Sequence, residues 1–145
     1  QGVLGKSSRE TESVDAEHQA MQDKLPGHQF HLIFTNPTNL WDDGDPDERA
    51  QTGKQHLLWL KQQERNGLLF AAGPLAPSLD EEQPERFPGG MFIFRVKTLA
   101  EAQAIADNEP FHKAGFRDYT IKPWRMNEGT FTIKIVHSEG DFTFT

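Results

Sequence analysis

The chain has 145 residues, a formal net charge of −7 and no cysteine. Its length is that of one domain, and the absence of thiols excludes disulfides, thiolate nucleophiles and thiolate metal sites. An acidic chain without a Lys/Arg cluster has no general attraction for phosphate backbones, so we expect no nucleic-acid partner. No apolar run approaches ~20 residues, so we expect no membrane span.

The beginning of the chain differs in composition from the rest. Residues 1–27 carry few large apolar side chains and are predicted to be a flexible polar leader, because so little apolar surface cannot offset the entropy cost of ordering. Residues 28–145 are predicted to form the folded domain, with a tail hairpin at 130–145. The sequence favours a cytoplasmic location, and the start at Gln1 before a polar leader leaves export as the alternative.

The first half of the domain predicts a strand followed by a long helix. Within residues 28–35, Phe30, Leu32 and Phe34 alternate onto one face and therefore predict a strand. A loop is expected over 36–45. Asp45 can cap a helix whose first residue is Pro46, which suits that position because the first helical N–H needs no partner. The helix is expected to end near Gly67, a natural C-terminal stop.

The second half predicts two strands, a helix, another strand and a hairpin. Thr98 and Glu101 have the spacing of a capping box, which places the start of the second helix. The predicted elements are strand 68–72, a turn at Gly73-Pro74 that ends it, a loop over 76–90, strand 90–97, helix 98–108, strand 118–124, and hairpin strands 131–137 and 142–145.

The order β-α-β-β-α-β is the split βαβ pattern of a ferredoxin-like α+β fold with an antiparallel sheet. Two helices cover one face, yet the third strand carries Met91 and Ile93 on one side and Phe92 and Phe94 on the other. Strands that are apolar on both sides need both faces covered. We therefore expect a homodimer with Phe92, Phe94 or Met91 at or near its interface. Cover by the tail hairpin is the alternative.

A histidine in the first predicted helix is the first candidate for chemistry. Ala50, Gly53, Leu57 and Leu60 form an apolar stripe at helical spacing, and His56 lies on its flank. A half-buried imidazole there can accept or donate a proton near neutral pH. The alternative is a boundary histidine that makes a backbone hydrogen bond.

Other ionisable residues follow the second helix. Asp107, Glu109 and His112 lie on irregular backbone, where functional groups often occur, although solvated acids at a helix end explain them equally well. The six histidines show no metal-binding spacing, and the acidic segment 42–48 lacks the alternating ligands of a calcium loop. We therefore expect neither a metal nor a cofactor.

Several short segments occur along the chain in a characteristic order. These are His56-Leu57-Leu58-Trp59-Leu60, Gly67-Leu68-Leu69, Ala72-Gly73-Pro74, Gly90-Met91-Phe92-Ile93, Glu109-Pro110-Phe111 and Ala114-Gly115. In this order and spacing the chain resembles the YCII-related family over roughly residues 28–125. The resemblance implies a ferredoxin-like fold that dimerises into an α/β barrel, similar to muconolactone isomerases and chloromuconolactone dehalogenases.

The resemblance also implies an active site. The family's histidine on the first helix falls on His56, and its acid in an Asp-Pro-aromatic motif falls on Glu109, where this chain has Glu instead of Asp. Asp107 stays an alternative partner for His56. The expected substrate contacts are Gly73, Pro74 and Phe111.

The implied function is acid–base chemistry by a His–carboxylate pair. The expected substrate is a small organic acid or lactone, and the reaction type is that of an isomerase, lyase or dehalogenase. The alternative is a non-catalytic module that binds a small ligand or pairs two subunits, since a fold does not fix a function.

Overall fold

A computed structural model of the protein describes residues 16–17, 29–78, 80 and 88–144. The predicted leader therefore lies almost entirely outside the described residues, as does most of the loop before the third strand. Residues 29–125 form one compact unit, and the residues from 126 onward belong to a second unit. None of the described helices is long and apolar enough to cross a membrane.

The compact unit is an antiparallel sheet with two long helices and two short ones. The elements are β1 (Gln29–Pro37), α1 (Leu40–Asp43), α2 (Pro46–Arg65), β2 (Leu69–Leu75), β3 (Gly89–Phe94), α3 (Leu99–Asn108), α4 (Pro110–Lys113), β4 (Arg117–Arg125), β5 (Ile133–Val136) and β6 (Asp141–Phe144). The sheet order is β2-β3-β1-β4, and β5 and β6 form a separate two-stranded sheet. This arrangement confirms the ferredoxin-like α+β fold with a hairpin after it.

Both long helices begin and end where local chemistry predicts. The Asp45 side chain accepts a hydrogen bond from the Asp47 N–H at 2.9 Å and so caps α2. Gly67 follows this helix with φ of 73°, a conformation that glycine adopts without strain. At α3, Thr98 and Glu101 form both bonds of the predicted capping box.

The prediction that a turn at Gly73-Pro74 ends the second strand was wrong. Strand β2 continues to Leu75, with Gly73 paired to Met91 and Pro74 paired to Gly90 across the ladder. A proline lacks the N–H that a central strand needs, but β2 lies at the sheet edge, where one side of the backbone has no strand to bond.

Two short helices were not predicted. Helix α1 lies in the segment that we expected to be a loop, and α4 follows α3 directly. Glu109 caps α4, since its side chain accepts from the His112 N–H, and Pro110 occupies the first helical position. The Glu-Pro pair is therefore a helix start, and it holds the acid in a defined orientation.

The core lies between the sheet and the two long helices. Its buried members are Ile33, Leu69, Phe92, Phe94, Val96, Ala102 and Ala106. The opposite sheet face carries half-buried apolar side chains, namely Leu32, Phe34, Met91 and Ile93. Of the three residues expected near a subunit interface, Phe92 and Phe94 belong to the helix-covered core, and Met91 lies on the open face.

The inward stripe of α2 is rotated from the predicted one. Thr52 is buried and Trp59 packs against the core, whereas Ala50 is exposed and Leu57 is 59% exposed. Since His56 lies between Thr52 and Trp59 on the helix surface, it faces inward rather than standing on the flank.

Candidate active site

The geometry brings His56 of α2 against Glu109 at the junction of α3 and α4. The His56 Nδ1 atom lies 2.6 Å from the Glu109 Oε1 atom. The His56 side chain is 14% exposed and the Glu109 side chain is fully buried. Asp107, the alternative partner, instead accepts a hydrogen bond from the Tyr119 hydroxyl at 2.5 Å.

The buried Glu109 carboxylate is held in its charged form. Its second oxygen accepts from the His112 backbone N–H at 3.0 Å. Burial alone raises the pKa of Glu109, but the hydrogen bond with His56, the two nearby imidazoles and a backbone N–H outweigh it, so the pKa lies below its ordinary value. An ionised carboxylate only accepts, so His56 donates its Nδ1 proton, and its Nε2 atom has no hydrogen-bond partner among the described residues.

A second histidine forms a buried chain beside this pair. The His112 Nδ1 atom lies 2.7 Å from the Ala106 carbonyl oxygen, which can only accept. The His112 Nε2 atom lies 2.8 Å from the Thr35 hydroxyl. Burial lowers the pKa of His112, despite the opposing effects of Ala106 and Glu109. The neutral ring therefore donates to Ala106 and accepts from Thr35, which fixes the Thr35 side chain.

His56 lines a pocket of about 300 Å³. Among the described residues most of the lining is apolar, and the polar side chains are those of His56, Thr35 and Arg117. The described lining residues are Thr35, His56, Leu57, Leu60, Ala72, Gly73, Pro74, Gly89, Gly90, Phe92 and Arg117. An apolar pocket with few convergent polar groups is the usual form of a small-molecule site.

The expected contact residues divide into two groups. Gly73 and Pro74 line the pocket. Phe111 is not among the lining residues: its ring is 5% exposed and packs 5.0 Å from the His56 ring, centroid to centroid. Phe111 thus packs against the imidazole outside the pocket lining. Its position in the sequence motif did not predict this contact.

Two glycines of β3 let its backbone approach both neighbouring strands closely at the pocket. A Cβ atom on Gly90 would lie 2.7 Å from the Gly73 carbonyl oxygen, and one on Gly89 would lie 2.7 Å from the Thr35 carbonyl oxygen. Any side chain at either position would push β3 away from its neighbours. The pocket shape therefore depends on these two glycines.

Arg117 is a pocket residue that sequence reasoning missed. It is the first residue of β4, and its guanidinium carbon lies 4.4 Å from the centre of the Phe111 ring and 4.6 Å from that of Trp41. Burial lowers the pKa of Arg117, and the nearby Glu109 charge opposes the shift. No local motif marks it, because its partners come from distant parts of the chain.

The arrangement suits acid–base chemistry. Within the described part of the chain, no group of three or more His, Asp or Glu side chains is placed to hold a metal ion. The pocket instead offers an imidazole paired with a buried carboxylate, a fixed hydroxyl and a cation.

The chain belongs to the YCII-related domain family, which matches residues 30–125. The match spans the whole compact unit that carries the sheet, the helices and the pocket.

Relatives and one solved structure agree with this assignment. The chain is 33% identical over 101 residues to an uncharacterised protein of Haemophilus influenzae, covering 66% of this chain and 96% of that one. It is 32% identical over 82 residues to Protein YciI of Escherichia coli, covering 54% and 83%. The structure of 5-chloro-2-hydroxyhydroquinone dehydrochlorinase (TftG) from Burkholderia phenoliruptrix, in complex with 2,5-dihydroxybenzoquinone, has a TM-score of 0.52 at 18% identity, covering 66% and 93%. At that identity the last likeness concerns the fold alone.

Proposed function

We propose that this protein is an acid–base enzyme that acts on a small organic acid or lactone, with His56 as the proton-transferring group and Glu109 as its partner. The observation that carries the proposal is the 2.6 Å contact between His56 Nδ1 and a fully buried carboxylate. The family membership and the adjoining pocket support it. The reaction class is that of an isomerase, lyase or dehydrohalogenase.

The pair has a clear division of roles. Glu109 is ionised and holds the Nδ1 proton of His56, so the Nε2 lone pair is available as a base. When Nε2 takes a proton, the imidazolium is stabilised by the carboxylate charge, and Phe111 packs against the ring. The groups that stabilise the imidazolium are therefore already in place before the proton moves. Such preorganisation is the usual source of catalytic advantage in a pair of this kind.

The chemical step starts at a carbon next to a carbonyl group. His56 Nε2 removes the proton from this carbon, and the electron pair enters the carbonyl to form an enolate. Return of the proton at another carbon completes an isomerisation, whereas departure of a leaving group with its own electron pair completes an elimination. In the isomerisation His56 gives the proton back to the substrate. In the elimination the enolate re-forms the carbonyl and makes a carbon–carbon double bond as the leaving group departs, and His56 then releases its proton to solvent or to the departing group.

We expect wild-type protein to catalyse deuterium exchange from solvent into a panel of small keto acids and lactones. This assay, followed by proton NMR, detects proton removal without requiring that the complete reaction be known. His56→Asn should lower the exchange rate by about 10²–10⁴-fold, the usual contribution of a general base.

The matched control is His137→Asn, because His137 is an exposed histidine outside the pocket. This variant should exchange at the wild-type rate. If wild-type protein accelerates no exchange, and His56→Ala loses thermal stability while keeping its ligand affinity, the non-catalytic binding module is the correct interpretation.

We also propose that the protein is a homodimer whose open sheet faces pack together. Leu32, Phe34, Met91 and Ile93 form a half-buried apolar face on the side of the sheet away from the core. Burying each such side chain is worth about 1.5–3 kcal/mol, so several together favour association.

Light scattering on a size-exclusion column should give about twice the mass of one chain at micromolar concentration. Met91→Asp should reduce this mass toward that of one chain, because a charge cannot be buried unpaired in an apolar interface. A wild-type mass of one chain at that concentration would refute the dimer.

A further inference from the structure

The surroundings of Arg117 differ from those of two other stacked arginines. Within the described residues, Arg49 and Arg95 also lie over aromatic rings, 5.4 Å from Trp41 and 4.9 Å from Phe70. Arg49 donates to the Trp41 carbonyl oxygen. Arg95 donates to two carbonyl oxygens, at 3.3 and 3.2 Å. Each of these two guanidinium groups therefore combines its ring contact with at least one hydrogen bond to a backbone carbonyl oxygen.

Arg117 has the stacking without the hydrogen bonds. Its Nε atom is buried and has no hydrogen-bond partner, and the described residues supply no carboxylate within ion-pair distance of its guanidinium. A buried polar group without a partner is costly, and a partly desolvated cation more so. Its planar, five-donor group matches the two oxygens of a carboxylate. Among the described residues Glu109 acts on this cation only at a distance, so the guanidinium has no carboxylate in direct contact and can take one from a ligand.

The position of Arg117 connects this feature to the pocket. Arg117 and His56 both line this pocket, and the guanidinium lies against the rings of Trp41 and Phe111. Phe111 lies between the two functional groups, packing against the His56 ring and under Arg117. The distance between the cation and the imidazole is therefore set by one buried ring.

We propose that Arg117 is the specificity-determining residue of this pocket and binds a carboxylate of the substrate, which orients the rest of the molecule toward His56. This inference rests on the proposed use of the pocket as the substrate site. It restricts the substrates to small anions with an apolar body, and it assigns the recognition of that charge to one side chain.

A second cavity of about 270 Å³ also borders Arg117. It is lined by Asp107, His112, Arg117, Asp118 and Tyr119. The two aspartates would repel a carboxylate there, whereas none of the described residues that line the pocket at His56 is acidic. Charge therefore favours the His56 side for an anion.

The test compares ligands that differ only in charge. Benzoate and benzamide, and 2-furoate and 2-furamide, are pairs of nearly equal shape, and their dissociation constants are measured by NMR titration. Wild-type protein should bind each carboxylate about tenfold or more tightly than its amide, because a hydrogen bond to a charged group contributes about 1.5–3 kcal/mol. Arg117→Gln should bind both members of each pair equally, and Arg117→Lys should keep part of the preference.

A control variant and the NMR signals of wild-type protein test whether the carboxylate preference comes from Arg117. Arg95→Gln removes a stacked arginine outside the pocket and should keep the full preference. The terminal guanidinium N–H resonances of Arg117 in wild-type protein should move downfield with benzoate, together with the His56 ring signals. An unchanged preference in Arg117→Gln, or shifts centred on Tyr119 without His56, would overturn the proposal.

The result is separable from the proposed catalysis. His56→Asn should retain the carboxylate preference, since it leaves Arg117 unchanged. If proton exchange fails in wild-type protein but the preference depends on Arg117, the anion site stands and the catalytic proposal alone is lost.

Discussion

Glu109→Gln is expected to lower the rate of deuterium exchange by about 10²–10⁴-fold, although the amide has almost the same shape as the carboxylate. The carboxylate accepts hydrogen bonds on both oxygens, from His56 Nδ1 and from the His112 backbone N–H. An amide has only one acceptor oxygen. If its NH₂ group faces His56, the imidazole carries its proton on Nε2 and can no longer act as a base there. In either orientation, the charge that stabilises the imidazolium is lost.

The rate is measured with the same NMR exchange assay at pH 7, and Glu101→Gln is the control. Glu101 is an exposed acid that caps α3, and glutamine also serves in a capping box. This control should exchange at the wild-type rate. A Glu109→Gln protein that is folded and fully active would show that the carboxylate has no catalytic role.

The pH dependence of unfolding gives an independent readout of the same variant. Because the folded pKa of Glu109 is lowered, its stabilisation is complete above its ordinary value of 4.5 and is lost as the pH falls through the folded pKa. The lowered pKa of His112 acts in the same direction, beginning as the pH falls below its ordinary value of 6.5. Glu109→Gln should therefore flatten the fall in unfolding free energy below pH 4.5 and retain the loss that begins nearer pH 6.5.

Phe94→Ala is expected to reduce the free energy of unfolding by about 3–5 kcal/mol. Phe94 is fully buried, and its ring lies 5.9 Å from Trp59 and 6.1 Å from Phe92, measured between centroids. Truncation removes these contacts and leaves a cavity that the sheet cannot close, because the flanking strands are held in register by the ladder.

Urea unfolding followed by tryptophan fluorescence measures the loss, and Leu58→Ala is the matched control. Leu58 is 68% exposed, so its truncation should change the free energy of unfolding much less than Phe94→Ala does. Equal losses in the two variants would mean that the core does not lie where the burial of Phe94 places it.

The sequence alone predicted the elements whose causes are local. Asp45 and the Thr98–Glu101 box start the long helices, because capping involves only neighbouring backbone groups. Alternation of Phe30, Leu32 and Phe34 predicted the first strand, and short apolar runs predicted the second and third. The prediction that Gly73-Pro74 ends the second strand was wrong because its cause is not local. Whether a proline fits a strand depends on whether that strand is at an edge, and edge position is not a local property.

The sequence also named His56 and Glu109, although through family resemblance rather than local spacing. The stripe of apolar residues placed His56 on its flank rather than on the inward face, because Leu57 was counted as a core residue and is 59% exposed. Because this chain has Glu109 where the family motif has Asp, the sequence left Asp107 as an alternative partner for His56. Only the folded chain shows the 2.6 Å contact between His56 and Glu109 and the separate bond between Asp107 and Tyr119.

The rest of the pocket was decided by tertiary structure alone. Thr35 and His112 are bonded across 77 positions of sequence. Arg117 lies over Trp41 and Phe111, which α1 and α4 carry. Contacts of this kind depend on how sheet and helices pack, and packing is set by long-range burial rather than by neighbouring residues. The sequence therefore predicted the fold and the candidate histidine, and only the tertiary structure placed Arg117 in the same pocket.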